Sequence, residues 1–70
     1  MPDQSAPDVL LSLAAARLRA QPATRYDIEI AAWLAHEADY QRHLNAETGQ
    51  EHPEDSELAL AVAYAVLFEP

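Results

Sequence analysis

The chain of 70 residues contains no cysteine, no lysine and a single glycine, Gly49. Without cysteine it can form neither a disulfide nor a thiolate zinc site. One glycine is too few for a loop that cradles phosphate groups, and without lysine there is no Schiff-base chemistry. Ser5, Ser12 and Ser56 have no partners at a spacing typical of a nucleophile and its base. The sequence therefore predicts a protein that is not an enzyme and that uses no cofactor.

Positive charge is also scarce. The chain has four basic residues against 12 acidic ones, for a net charge of −8. All four arginines lie within residues 1–42, whereas residues 43–70 carry six acidic residues and no basic one. A negative surface repels phosphate backbones and anionic membranes. We therefore expect no direct binding to nucleic acid or to membranes, and a protein partner with a basic surface.

Long hydrophobic runs are missing as well. The most apolar stretch, residues 58–68, has 11 residues, whereas a membrane-spanning helix needs about 20. The first eight residues, MPDQSAPD, are acidic and polar, unlike the basic start and apolar centre of a signal peptide. We expect a soluble, cytoplasmic protein.

Helical patterns fill most of the remaining sequence. Residues 1–6 are predicted to be a flexible N-terminal arm, and residues 7–70 a single helical domain. The first helix, over residues 7–20, begins at Pro7, which suits a first helical turn, and is ended by Pro22. Its apolar residues recur at helical spacing on one broad face. They are Leu10, Leu11, Leu13, Ala14, Ala15 and Leu18.

The second helix is predicted over residues 25–46. Thr24 caps it, with Asp27 three residues later in a capping-box-like arrangement, and Gly49 is the natural left-handed terminator. The predicted apolar stripe consists of Tyr26, Ile30, Trp33, Leu34 and Leu44, with Ala31 and Ala38 beside it. Trp33 is the best candidate for the centre of the core, because large aromatic side chains dominate core energetics.

The last segment, ELALAVAYAVLFEP, alternates bulky residues with alanine, which by period favours a strand. Alanine is nevertheless the best helix former and is poor in strands. There is also no second strand for it to pair with. We therefore predict a third helix over residues 54–68, with Asp55 or Ser56 as its cap. Its large side chains divide into one ridge of Leu58, Val62 and Val66 and another of Leu60, Tyr64, Leu67 and Phe68.

The predicted fold is thus an all-α, small three-helix bundle. A chain this short buries only about 60% of the surface that its unfolded form exposes, and a helix that is apolar on both sides must be covered on both sides. Two further helices can cover only one ridge, so we expect self-association through the third helix. The predicted partner-binding residues are Leu58, Val62, Val66, Tyr64 and Phe68, together with Tyr26 and Tyr40 on the second helix.

These patterns predict a small acidic protein–protein interaction module that forms a homodimer or other homo-oligomer. It would act as an adaptor, an assembly factor, or a regulator or inhibitor of a larger machine. An alternative is an acidic mimic of nucleic acid that blocks a DNA- or RNA-binding protein. Its acidic patch would consist of Glu47, Glu51, Glu54, Asp55 and Glu57. The alternative interpretation of this cluster is that it only keeps a hydrophobic protein soluble.

A second alternative is a helical metal-binding protein. His36, Asp39 and His43 stand at i, i+3 and i+7 and so share one face of the second helix. Imidazoles and carboxylates are suitable ligands for first-row metals, but the sequence HEADY lacks the second histidine of the HExxH pattern. Residues of this kind more often populate a solvated helix face, and no metal site is therefore predicted.

Overall fold

Proline, threonine and glycine mark the helix ends in the computed structural model, which describes residues 6–69. Helix α1 is Pro7–Ala20, with its proline at the first position. Ala6 precedes it in an extended conformation, and its carbonyl accepts the backbone N–H groups of Val9 and Leu10. Because proline has no N–H, the first turn of the helix has one backbone donor fewer to satisfy.

Helix α2 is Arg25–Thr48. At its start, the Asp27 carboxylate accepts the backbone N–H groups of Ala23 and Thr24 at 2.6 and 3.2 Å. At its end, Gly49 adopts a left-handed conformation with φ 74° and donates its N–H to the Asn45 carbonyl at 2.7 Å. The capping box and the glycine terminator are both as predicted, and the helix runs two residues beyond the predicted end at residue 46.

The third helix begins later than predicted. Residues Pro53–Ser56 form a 3-10 turn, and helix α3 is Glu57–Phe68. In the turn, the Asp55 N–H donates to the His52 carbonyl three residues back, at 3.0 Å, which is the tighter 3-10 pattern. The prediction that the helix starts at residue 54 is thus wrong by three residues. Of the predicted arm, only Ala6 lies within the described residues, and Pro70 lies outside them.

The three helices form an all-α bundle, as predicted, and no strand occurs in residues 6–69. Arg42, near the end of α2, donates to the Ser12 hydroxyl near the start of α1 at 3.2 Å. Arg17, in the last turn of α1, donates to the Leu67 carbonyl near the end of α3 at 3.4 Å. Helix α1 is therefore antiparallel to α2 and parallel to α3. It lies between them, and α2 and α3 touch each other at only a few places.

The core is built largely from alanine. Its ten buried apolar residues are Leu10, Leu11, Ala14, Ala15, Ala31, Leu34, Ala38, Ala59, Leu60 and Ala63. Small side chains at a helix contact allow the helix axes to come close together. Leu11 and Leu34 are the largest side chains that are fully buried. None of the described helices is long and apolar enough to cross a membrane.

Two sequence predictions about the core are wrong. Trp33 is only half-buried and packs against the edge of the core, because α2 turns Ala31, Leu34 and Ala38 towards α1. Leu13 was expected to widen the buried face of α1, yet 52% of it is exposed. Alanines occupy six of the ten buried apolar positions instead.

Candidate interaction surface on the third helix

Helix α3 is apolar around its whole circumference, but its own chain covers only one side of it. Ala59, Leu60 and Ala63 face the core and are buried. On the opposite side, Leu58 is 71% exposed and Phe68 is 48% exposed, and Ala61 and Ala65 between them are also exposed. We call these last four residues the outer seam of α3. It is an apolar surface with no partner within residues 6–69.

The division of α3 differs from the two ridges expected from the sequence. Val62, Tyr64 and Val66 are half-buried and packed against the core, whereas Leu58 and Phe68 are exposed. The helix approaches α1 through Ala59 and Ala63, which lie between the two expected ridges. Each ridge is consequently split, with part of it at the core and part of it in solvent.

A shallow groove lies beside the outer seam, at the start of α3. Its volume is about 350 Å³, and its lining residues are Pro53, Glu54, Glu57, Leu60, Ala61 and Tyr64. The ring of Tyr64 continues towards the ring of Phe68, with 5.7 Å between the two ring centroids, a spacing typical of an aromatic pair. The groove therefore has an apolar floor and two glutamates at one edge, and the aromatic pair extends it to the end of the helix.

The other two predicted partner-binding residues lie on a different helix. Tyr26 and Tyr40 are exposed on α2, seven residues before and seven residues after Trp33. A separation of seven residues returns to nearly the same side of a helix, so the three aromatic side chains follow one edge of α2. The predicted partner-binding residues are thus spread over two helices rather than gathered in one patch.

Five of the twelve acidic residues lie together at one end of the bundle. Glu47, Glu51, Glu54, Asp55 and Glu57 are all exposed and lie where α2 ends and α3 begins. Three of the four arginines lie at the opposite end, where α1 ends and α2 begins. These are Arg17, Arg19 and Arg25. The negative charge is therefore greater at one end of the bundle than at the other. The comparison of residues 1–42 with residues 43–70 already indicated this difference.

His52 connects two parts of the acidic end. One ring nitrogen lies 2.8 Å from the Thr48 hydroxyl, and the other lies 3.3 Å from the Glu54 carboxylate. A hydrogen bond from the backbone amide of Glu54 lowers the pKa of the Glu54 carboxyl below its usual value of 4.5. The neighbouring His52 lowers it by a smaller amount. His52, Glu54 and Asp55 also bring their ligand atoms within 4.8 Å of one another. Exposed groups of this kind are common at protein surfaces, and this group lies at the start of the 3-10 turn.

The histidines of α2 do not join such a group. His36, Asp39 and His43 are exposed on α2, and they are not brought together as a set of three donors in the described part of the chain. Asp39 pairs with Arg42, and the ring of His43 lies 3.3 Å from the Glu47 carboxylate. Asp39 and His43 thus make contacts typical of a solvated helix face.

A buried polar cluster joins α2 to the start of α3, and the sequence reasoning missed it. The Gln41 side-chain amide donates to the His52 carbonyl at 2.7 Å and to the Ser56 hydroxyl at 2.9 Å. Ser56 in turn donates to the Glu37 carboxylate at 2.7 Å. One signal was available, since Gln41 continues the buried series of α2 at helical spacing. A polar residue at a core position needs a buried partner.

The chain matches no family model, no curated protein and no solved structure.

Proposed function

We propose that this chain is a cytoplasmic, non-enzymatic protein–protein interaction module that self-associates through α3. In this role it serves as an adaptor, an assembly factor or an inhibitor of a larger machine. The observation that carries the proposal is the exposure of the outer seam, which leaves Leu58 71% and Phe68 48% accessible to solvent. Leu58 and Phe68 stand at the two ends of the seam with two exposed alanines between them, and a contiguous exposed apolar surface is typical of a binding site.

The energetic argument favours a partner. Full burial of a leucine or phenylalanine side chain contributes about 1.5–3 kcal/mol, and a 70-residue chain has a marginal core of its own. Covering the seam on a second copy therefore adds stability that the single chain cannot supply. The exposed acidic end leaves a second surface for a basic protein partner.

Analytical ultracentrifugation of the full chain tests the proposal. We expect the wild type to form a dimer or higher oligomer at micromolar concentration, and Leu58→Gln to shift it towards the monomer while circular dichroism shows retained helix. Leu13→Gln is the matched control, since Leu13 is also a half-exposed leucine, 52% accessible, but lies on α1. We expect it to leave the sedimentation coefficient unchanged. A wild type that stays monomeric throughout the concentration series overturns the proposal.

A further inference from the structure

The groove at the start of α3 combines an apolar floor with an acidic edge. Leu60 and Ala61 line the floor, Tyr64 stands at one end of it, and Glu54 and Glu57 stand at the other. The groove has a volume of about 350 Å³, which is near the lower limit of small-ligand sites, about 300–1,000 Å³. It therefore has room for one long side chain of a partner, and it is shallow enough for the main chain of that partner to stay outside.

No arginine of the chain neutralises the acidic edge. The only arginine that forms ion pairs among residues 6–69 is Arg42, whose two carboxylate partners lie on α1 and α2. The Glu54 carboxylate lies 3.3 Å from a ring nitrogen of His52, whereas Glu57 forms no ion pair within the same residues. The edge therefore carries negative charge that a cation from outside the chain can meet.

We propose that this groove receives an arginine side chain from an exposed segment of a protein partner. The inference rests on the proposed function, in which the acidic end meets a basic protein, and it assigns the site and the type of residue. An arginine side chain has an apolar stem and a charged head, and such stems pack along apolar surfaces. The stem lies along Leu60 and Ala61, and the head reaches the carboxylates of Glu54 and Glu57.

The two carboxylates favour arginine over lysine. Glu54 and Glu57 are three residues apart, across the junction of the 3-10 turn and α3, and this spacing places two side chains on the same side of a helix. A guanidinium group holds its N–H donors in a planar fork, so it can bond to both carboxylates at once. The ammonium group of lysine is a compact and strongly hydrated charge, which gains less from a second carboxylate.

An NMR titration of the isotopically labelled full chain tests this inference. The probes are two peptides with blocked ends, tetra-arginine and tetra-lysine, which carry the same charge. We expect the amide shift changes to concentrate at Leu60, Ala61 and Tyr64, and tetra-arginine to bind several-fold more tightly than tetra-lysine. Equal affinities overturn the assignment to arginine, and the absence of binding overturns the docking site.

Two matched pairs of variants localise the binding. Glu57→Gln removes a carboxylate of the groove, and Glu51→Gln makes the same change at an exposed position outside the lining. Ala61→Leu fills the floor, and Ala65→Leu adds the same bulk at an exposed alanine one turn further along α3, also outside the lining. We expect the first member of each pair to weaken tetra-arginine binding several-fold and the second to change it little. Equal effects within a pair overturn the groove as the binding site.

The outcomes separate this inference from the self-association proposed above. Analytical ultracentrifugation without peptide reports the oligomeric state, and the titration reports the groove. An oligomer that does not bind tetra-arginine overturns the docking site and leaves self-association intact. A monomer that binds tetra-arginine with the expected variant effects overturns self-association and supports the docking site. Circular dichroism of each variant confirms that it is folded before the titration is read.

Discussion

The side-chain amide of Gln41 donates a 2.9 Å hydrogen bond to the hydroxyl of Ser56 and so connects the last third of α2 to the residue that immediately precedes α3. Both residues are buried. The same amide reaches the His52 carbonyl, and the Ser56 hydroxyl reaches Glu37. Since α2 and α3 have little direct contact, this polar cluster holds the turn that precedes α3 against α2.

Replacement of Gln41 by alanine should therefore destabilise the fold. The change leaves the His52 carbonyl and the Ser56 hydroxyl without their donor, and a buried group that loses its partner costs about 1–3 kcal/mol. Ser56→Ala should cost less, about 0.5–1.5 kcal/mol, because Gln41 keeps its bond to His52 and Glu37 is partly exposed to water. Urea unfolding followed by circular dichroism measures both changes.

Gln50→Ala is the control for this experiment, because Gln50 is exposed in the loop after α2. We expect it to change the free energy of unfolding by less than about 0.5 kcal/mol. Equal effects of Gln41→Ala and Gln50→Ala would contradict the role that we assign to the cluster.

Gly49→Ala should destabilise α2 through backbone strain alone. The glycine has φ 74°, and a Cβ atom added to it would meet nothing within 4 Å. The cost is therefore the left-handed conformation itself, about 1–2 kcal/mol for a residue with a Cβ atom. Gly49→Asn should cost less, because asparagine tolerates this conformation better. Thermal denaturation that ranks glycine first, asparagine second and alanine last confirms the assignment, and any other order contradicts it.

The Glu54 carboxyl should titrate below 4.5. Its pKa is lowered first by a hydrogen bond from its own backbone amide and then by His52. Because the folded pKa lies below the unfolded one, the stabilisation is present above the unfolded value and is lost as the pH falls through the folded pKa. An NMR titration of the side-chain carboxyl carbon measures the midpoint.

In His52→Ala, the Glu54 midpoint should rise but stay below 4.5, since the larger cause, the backbone hydrogen bond, remains. A midpoint in the wild type at or above 4.5 would contradict this account of the 3-10 turn.

The helices themselves could be predicted from the sequence because their end signals are local. Pro7, the Thr24–Asp27 pair and Gly49 act through their own backbone geometry or through neighbours three or four residues away, so a reader of the chain has the relevant information. The prediction of a helix for α3 was local in the same way, because it rested on the alanines of that segment, which favour a helix over a strand. The uneven distribution of charge was also readable, since all four arginines lie within residues 1–42 and residues 43–70 carry six acidic residues and no arginine.

The detailed packing could not be predicted, because it depends on how closely the helices approach. The alanines bring α1 to Ala59 and Ala63, and this approach splits the expected ridges of α3 and leaves Trp33 at the edge of the core. The helical spacing of apolar residues in the sequence cannot distinguish a bulky side chain at the centre of the core from one at its edge. Gln41 bonds to Ser56, fifteen residues away, and although its spacing in α2 indicates a buried position, the sequence does not indicate which residue it bonds.

The position of α1 between the other two helices also has a consequence for how the chain reaches its native state. A hairpin of α1 and α2 alone would leave the other flank of α1 bare, with nothing to cover it until the last dozen residues arrive. Full burial of α1 therefore requires α3. For this reason we expect a fragment that ends before α3 to be less stable than residues 6–69, because it lacks the helix that covers this flank of α1.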